Sequence, residues 1–178
     1  MKHVALLRGI NLGPYNRLPM KDLASMFVEA GCGDVETFIQ SGNAVFSAAP
    51  AVLKSLPGAI QQTIADRFGY RIPVILRSSR QLKRTIEDNP FLLAGKPEKT
   101  LHVFFLAHPP GAQAVKNLDP DRSPGDAFHV SGQEVYMHLP NGMAKTKLTN
   151  AWLDSKLSTV STARNWATVL KLYELTQR

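Results

Sequence analysis

The sequence is poor in cysteine and has no long apolar run. Its 178 residues include a single cysteine, Cys32, which excludes an internal disulfide framework and a metal site built on several cysteines. No run of about 18 apolar residues is present. The chain enters an apolar strand pattern directly after Met1-Lys2, without the features of a signal peptide. We therefore expect a soluble, cytoplasmic protein that does not associate with a membrane.

The motifs of well-known catalytic and metal sites are also missing. None of the five histidines stands in a His-x-x-x-His or His-Glu-x-x-His spacing, which makes a metal site improbable. No Gly-x-Ser-x-Gly turn, Walker loop or dinucleotide-binding fingerprint is found. The sequence therefore predicts no metal and no cofactor, and it disfavours a hydrolase of familiar type.

Charge is present in excess but is not concentrated. The formal net charge is +7, and such a field favours the approach of phosphate-rich partners. No block of five like charges occurs, so the cations are also compatible with an ordinary basic protein. The charge therefore points to a phosphate-bearing small molecule or a nucleic acid as the partner, but it does not distinguish such a protein from an ordinary basic one. It does not predict the oligomeric state.

Two stretches of the chain resemble each other. Residues 38–46 and 128–136 share Phe, Ser, Gly and Val at the same positions, and each ends in an aromatic residue. The segments 3–7 and 102–106 are also similar. The pattern predicts one β-hairpin used twice and an internal repeat.

Hydrophobic periodicity predicts the order β-α-β-β-α-β in the first half, with Pro57 near the start of the second helix. This is the ferredoxin-like arrangement of an α+β protein. A capping box of Ser78 and Gln81 predicts a further helix. The second half shows a strand, a short helix and a hairpin, then helical patterns near 149–157 and 163–176 and no obvious last strand.

We therefore expect two fused ferredoxin-like (alpha-beta plait) halves around one shared core, the second incomplete or elaborated with C-terminal helices. The first half covers residues 1–88, a connector covers 89–100, and the second half covers 101–178, all in one compact unit. A single mixed α/β sheet would give the same elements and remains an alternative.

Several phrases together resemble the bacterial family of domains of unknown function numbered 1697. The resemblance runs nearly end to end and implies two ferredoxin-like halves, but no activity, substrate or catalytic residue. The phrases are Leu6-Leu7-Arg8-Gly9-Ile10-Asn11-Leu12-Gly13, Thr37-Phe38-Ile39-Gln40-Ser41-Gly42-Asn43 and Thr162-Ala163-Arg164-Asn165-Trp166-Ala167.

The strongest chemical candidate lies near the C-terminus. Ser161 or Thr162 is expected to cap a helix, which places Arg164 and Asn165 in its first turn, where free N–H groups favour an anion. Lys147 is a further candidate ligand. The structural alternative is that the cap only starts the helix and that Arg164 pairs with a local carboxylate or carbonyl.

A second group of candidates follows the first strand and the first hairpin. Arg8, Asn11 and Asn16 lie at and beyond a strand end, where scaffolds usually carry their sites. Asn43 lies beside the hairpin turn. The alternative is that these asparagines bond only to the backbone of their own turns.

These candidates suggest a binding module for a phosphate-bearing ligand or a nucleic-acid backbone. The hypothesis requires Arg8 and Arg164 to share one cleft, which the sequence does not show. An enzyme acting on a small anionic metabolite and a protein-interaction module are the alternatives. The sequence names no catalytic residue.

Overall fold

The computed structural model describes residues 1–178 and shows a mixed α+β protein with two four-stranded antiparallel sheets, each with flanking helices. No helix is both long enough and apolar enough to span a membrane. The strands are β1 (Lys2–Leu7), β2 (Gly33–Phe38), β3 (Asn43–Ser47), β4 (Val74–Ser78), β5 (Leu101–Leu106), β6 (Ala127–Ser131), β7 (Glu134–His138) and β8 (Ser161–Asn165). The helices are α1 (Met20–Glu29), α2 (Pro50–Phe68), α3 (Ser79–Glu87), α4 (Pro90–Leu93), α5 (Ala112–Lys116), α6 (Asn150–Leu157) and α7 (Trp166–Thr176).

The chain divides into two compact units. The first comprises Met1–Lys83 together with Lys171–Arg178, and the second comprises Arg84–Leu170. The segment 89–100, which the sequence predicts as a connector, contains α4 and a short 3-10 helix. The halves predicted as 1–88 and 101–178 in one compact unit stay a prediction.

The first sheet has the strand order β2-β3-β1-β4. Side chains of β1 and β3 alternate between its two faces, and Leu7 and Phe46 on one face join a core with Phe27 of α1 and Ile60 of α2. Val4 on the other face is buried as well. Burial on both faces explains why β1 is continuously apolar rather than alternating.

The start of α2 differs from the prediction. Pro50 occupies the first turn and Pro57 lies inside the helix, so the prediction of Pro57 near the helix start is wrong. The buried stripe of Leu56, Ile60 and Ile64 continues across Pro57. Packing of this stripe therefore outweighs the cost of an interior proline.

The capping box of α3 is confirmed. The Gln81 backbone N–H donates to Ser78 Oγ at 3.2 Å, and the Ser78 N–H donates to Gln81 Oε1 at 2.8 Å. These two bonds satisfy amide groups that the helix leaves without an internal partner. The helix thus begins directly at the end of β4.

The second sheet has the order β6-β7-β5-β8 and is complete. Because β8 pairs antiparallel with β5, the expectation of a second half without a last strand is wrong. The helix expected near 163–176 begins only at Trp166. Residues 161–165 were missed as a strand because Ser-Thr-Ala-Arg-Asn lacks the apolar alternation of a strand, and tertiary pairing decides its conformation.

The similar segments 38–46 and 128–136 of the two hairpins do not align in the structure but are shifted by one residue. Leu6 of β1 pairs with Asn43, and the equivalent Phe105 of β5 pairs with Glu134. Structurally equivalent residues of β3 and β7 are therefore 91 residues apart, whereas the similar sequence segments 38–46 and 128–136 are 90 residues apart. Phe46 consequently contacts the helix-side core, while Tyr136 lies on the opposite face of its sheet from Met137, which joins the helix-side core. The hairpins occupy matching places, but their residues do not correspond as the sequence similarity suggests.

Candidate functional site

The two sheets carry the same strand order, so their connections can be compared directly. At one end of the first sheet β1 leads to α1 through residues 8–19, β2 to β3 through 39–42, and α2 to β4 through 69–73. The matching connections in the second unit are shorter, spanning 107–111, 132–133 and 158–160. Because the second unit forms the same sheet with short connections, the extra length of the connections in the first unit is not required by the fold. Loops on a rigid scaffold commonly carry function, which makes this end of the first sheet a candidate site.

The second unit is extended at the opposite end of its sheet. There α5 leads to β6 through residues 117–126, and β7 leads to α6 through 139–149. In the first unit the matching connections are 30–32 and 48–49. Each unit thus has one end with long loops. We call residues 8–19, 39–42 and 69–73 the first loop cluster, and residues 117–126 and 139–149 the second loop cluster.

Asn11 holds the first loop cluster together. Its Nδ2 donates to the carbonyl of Leu18 at 2.9 Å and to the carbonyl of Gln40 at 2.8 Å, and its Oδ1 accepts from the Leu18 N–H at 2.8 Å. The backbone of Asn11 has φ +52°, a conformation that asparagine tolerates better than most residues. One side chain therefore ties the start of the β1–α1 loop to its end and to the β2–β3 turn.

Asn16 and the loop tip form a small reverse turn. Asn16 Nδ2 donates to the Gly9 carbonyl at 2.8 Å. The Tyr15 N–H donates to the Leu12 carbonyl at 3.0 Å, and the two residues form an isolated antiparallel bridge. Their side chains are largely solvent-exposed, at 62% for Leu12 and 72% for Tyr15. The loop is thus fixed by its polar side chains and presents its apolar side chains outward.

The β2–β3 turn packs closely against the end of β1. The Leu7 N–H donates to the Gly42 carbonyl at 2.8 Å, and a Cβ on Gly42 would lie 2.7 Å from the Leu7 Cβ. Asn43 is fully buried, and its Nδ2 donates to the Phe38 carbonyl at 3.1 Å and to Ser41 Oγ at 3.0 Å. Asn43 therefore closes the hairpin and does not present its amide to a ligand.

Three arginines belong to this end of the sheet. Arg8 is half-buried, and its backbone N–H donates to the Pro73 carbonyl at 3.1 Å, which joins the β1–α1 and α2–β4 connections. Arg17 and Arg71 are exposed and form no ion pair. The first loop cluster therefore presents positive charge to solvent.

Lys147 lies in the second loop cluster and is exposed. Its backbone N–H donates to Ser123 Oγ at 3.0 Å, and this hydroxyl donates to Asp126 Oδ2 at 2.6 Å. Nearby in this unit the Arg122 guanidinium lies 5.9 Å from the ring centroid of Trp152. The two long loops of the second unit are thus joined to each other by Ser123.

Ser161 does not cap a helix. It is fully buried at the start of β8, where both its N–H and its Oγ donate to Asp154 Oδ1, at 2.8 and 2.7 Å, and Asn150 Nδ2 donates to its Oγ at 2.8 Å. These bonds fasten α6 to β8. The placement of Ser161 as a helix cap is therefore corrected, and so is that of Thr162, which lies within the same strand.

Arg164 does not stand at a helix N-terminus either. It is a strand residue 7% exposed, and its Nη1 donates to Thr162 Oγ1 at 2.9 Å and to the Ala163 carbonyl at 2.7 Å. Burial without compensating solvation lowers the pKa of Arg164 to about 10. The guanidinium is still charged at neutral pH, and its interactions lie inside the protein.

The first unit contains a counterpart of Arg164. Arg77 of β4 pairs with Val4 of β1, as Arg164 of β8 pairs with Val103 of β5. Arg77 is 2% exposed, and its Nη1 donates to the Leu76 carbonyl at 2.9 Å. Because the same arginine geometry occurs in both units, we interpret it as part of the scaffold.

Asn165 is the residue that caps α7. Its Oδ1 accepts from the Thr168 N–H at 2.8 Å, which is the bond that an N-cap side chain makes. It occupies the place that Ser78 holds before α3. The cap is therefore displaced from the predicted Ser161 or Thr162 to the end of β8, since the helix cannot begin before the strand is complete.

The nine sequence-predicted site residues thus fall into two groups. The structure brings Arg8, Asn11, Asn16 and Asn43 together in the first unit, where Arg8 is the cation. The other five lie in the second unit, in the second loop cluster or in β8. No group of three or more His, Cys, Asp or Glu side chains lies together in a way that could hold a metal ion.

Sequence reasoning missed Leu12, Tyr15, Arg17 and Arg71. Leu12 lies within the family-like phrase 6–13 but was given no role there, and no motif marks the other three, because an exposed side chain in a loop leaves no periodic pattern. The signal that could have found them is the difference in connection length between the two repeats, once the repeats are aligned by strand order rather than by the similar hairpin segments.

Comparisons with known proteins agree with this architecture. A model of the family described as "Protein of unknown function (DUF1697)" matches residues 1–136. Among solved structures, the conserved bacterial protein SP0830 from Streptococcus pneumoniae is similar over 99% of this chain and 98% of its own, with 19% identity and a TM-score of 0.72. That likeness shows the fold alone. No curated protein matches the chain. On the match of its first 136 residues, the chain belongs to the DUF1697 family of proteins of unknown function.

Proposed function

We propose that this protein is a binding module for a phosphate-bearing ligand or a nucleic-acid backbone, and that the first loop cluster forms its contact surface. The observation that carries the proposal is the β1–α1 loop, which is much longer than its counterpart 107–111 and is fixed by the three hydrogen bonds of Asn11. A loop that is already ordered loses little entropy when a ligand binds. Its rigidity therefore suits recognition.

The charges of this end support an anionic ligand. Arg17 and Arg71 are exposed without ion pairs, and the chain as a whole carries a net charge of +7. Arginine forms bidentate bonds to phosphate oxygens, which makes it suited to this ligand class. The fully buried Asn43 and the internal bonds of Arg164 give these two residues structural roles within the proposal.

The ferredoxin-like character of each half is also part of the proposal. The strand orders β2-β3-β1-β4 and β6-β7-β5-β8, with each half running β-α-β-β-α-β, support it. A cytoplasmic location is proposed on the single cysteine, because a chain without a disulfide gains nothing from an oxidising compartment.

The test uses inorganic polyphosphate and a mixed-sequence oligonucleotide. We expect both to raise the thermal midpoint of the protein at low salt, because a ligand that binds only the folded state stabilises it. The double variant Arg17→Ala/Arg71→Ala is expected to lose most of this shift. The control Lys54→Ala/Lys116→Ala removes the same charge from the exposed surfaces of α2 and α5 and is expected to retain the shift. Equal losses in both double variants, or no shift in the unmodified protein, would refute the assigned surface.

A further inference from the structure

The tip of the β1–α1 loop displays an aromatic ring whose packing the fold does not explain. Tyr15 is 72% exposed and its ring contacts no other aromatic ring, although its backbone is fixed by the bond to Leu12 and by the bridge between the two residues. Within the tip, residues 11–16, the side chains of Asn11 and Asn16 are bonded to the backbone, whereas Leu12 and Tyr15 are exposed to solvent. A fixed backbone with an exposed ring gives a flat surface in a defined place.

We propose that Tyr15 is a stacking platform for a base of single-stranded nucleic acid, with Arg17 and Arg71 contacting the flanking phosphates. The inference rests on the proposed function and narrows it to one ligand class. Single-strand binding sites combine aromatic side chains that stack on bases with a positively charged surface that follows the backbone. Tyr15, Arg17 and Arg71 bring both components to one end of the first sheet.

Leu12 extends the platform. Residues that form a direct antiparallel pair project from the same side of the two backbone segments, so the Leu12 and Tyr15 side chains leave the loop on the same side. Leu12 offers apolar surface to the edge of a stacked base or to a sugar. Because every base has a π-face, a platform of this kind tolerates different sequences. We therefore expect little sequence preference.

Duplex nucleic acid suits this surface less well. The bases of a duplex are already stacked, and stacking a ring on one requires its removal from the helix at a cost of a few kcal/mol. Asparagine can read adenine in the major groove by a bidentate contact, but the Nδ2 groups of Asn11 and Asn16 are bonded to the backbone of their own protein. Single strands are therefore the expected ligand.

The experiment compares two fluorescently labelled probes of about 12 nucleotides, one of deoxythymidine and one of the same length without bases. We expect Tyr15→Ala to weaken binding of the thymidine probe about five- to a hundred-fold and to leave binding of the abasic probe unchanged. Tyr15→Phe keeps the ring and is expected to bind both probes as the unmodified protein does. Leu93→Ala, an exposed apolar residue of α4, serves as the control and is expected to change neither.

The outcomes separate this inference from the proposed function. If both probes bind equally well and Tyr15→Ala affects neither, phosphate binding stands and the stacking platform is refuted. If neither probe binds the unmodified protein, both the platform and nucleic-acid binding are refuted. A thermal midpoint of Tyr15→Ala equal to that of the unmodified protein, as its exposure predicts, excludes misfolding as the cause of a loss.

Discussion

Asn11 illustrates how a single residue can set the geometry of a site without belonging to its contact surface. Its side chain is only half-exposed and is fully engaged with the backbone of Leu18 and Gln40. The sequence identified Asn11 as either a ligand or a turn former. The structure supports the second role, and the bonds of Asn11 fix the backbone that carries the exposed Leu12 and Tyr15.

Replacing Asn11 tests this role. We expect Asn11→Gly, which keeps the positive φ without strain, to reduce the free energy of unfolding by about 1.5–3 kcal/mol, because three hydrogen bonds are lost. Urea unfolding measures the change. Asn141→Gly, at an exposed turn residue, provides the control for the added chain entropy of glycine. If both variants lose the same stability, the three bonds contribute nothing.

His3 and His102 occupy equivalent places in the two sheets, and their lowered pKa values predict a stability that depends on pH. Burial lowers the pKa of both below the ordinary value of 6.5. The unfolded chain therefore takes up protons more readily than the folded one as the pH falls. Stability is fully present above pH 6.5 and is lost as the pH decreases through the folded pKa values.

The measurement is the urea midpoint between about pH 7.5 and pH 5. We expect the midpoint to fall with pH in the unmodified protein, and the double variant His3→Gln/His102→Gln to show a flatter profile. His129→Gln, at an exposed position of β6, is the control and is expected to keep the original slope. A double variant as steep as the unmodified protein would contradict the assignment.

At the scale of elements, β8 and α7 show why the C-terminal part was misjudged. Helical periodicity from Trp166 onward is genuine, but periodicity does not reveal where a helix begins, so the sequence predicts a helix that also includes the polar residues just before Trp166. Strand β8 exists because β5 has a free edge that pairs with it. Such long-range pairing leaves little trace in a short polar segment.

The true start of α7 can be tested at its cap. We expect Asn165→Ala to destabilise the protein by about 1 kcal/mol and Asn165→Ser to restore most of that loss, because the cap bond to the Thr168 N–H is removed and then replaced. Ser78→Ala at the matching cap of α3 is expected to cost a similar amount. Thermal or urea unfolding checks both. Full stability of Asn165→Ala would argue against this helix start.

The two hairpin turns allow a matched comparison of glycines. Gly42 has φ +84° and no room for a Cβ, whereas Gly132 has φ +57° and open space around it. We expect Gly42→Ala to cost about 2–4 kcal/mol from overpacking against Leu7 together with backbone strain. Gly132→Ala is expected to cost only about 1–2 kcal/mol from strain alone.

Unfolding curves of the two variants give the difference directly. A Gly42→Ala variant no less stable than Gly132→Ala would show that the first turn is not tightly packed on β1. The comparison also reports on the first loop cluster, since Gly42 and Asn11 hold the same turn.

At the scale of the whole molecule, the architecture was more predictable than the site. The strands of the first half and the hairpin of the second were predicted because β-branched and apolar runs alternate with turn residues, as in Val4 to Leu7 and Val135 to Met137. The repeat was recognised from a sequence similarity that turned out to be shifted by one residue. The sequence does not show that the loops carrying Tyr15 and Arg71 are longer than their counterparts, because that comparison requires the strand order of both sheets.

The number of phosphates that the proposed surface contacts determines how its binding depends on salt. We expect the logarithm of affinity for a single-stranded probe to fall linearly with the logarithm of salt concentration, with a slope near −0.7 per phosphate contacted. Arg17→Ala is expected to make the slope shallower by about 0.7, whereas Tyr15→Ala leaves it unchanged. Titrations at several salt concentrations provide the slopes. Affinity that does not respond to salt would contradict an electrostatic contribution.

The hydrogen bonds that Asn11 makes to both ends of its loop have a consequence for the speed of recognition. A partner meeting a loop that is already in its final shape does not wait for the loop to rearrange, so diffusion and charge set the association rate. Differences in affinity among variants of the contact residues would then appear chiefly as differences in how long the partner stays bound.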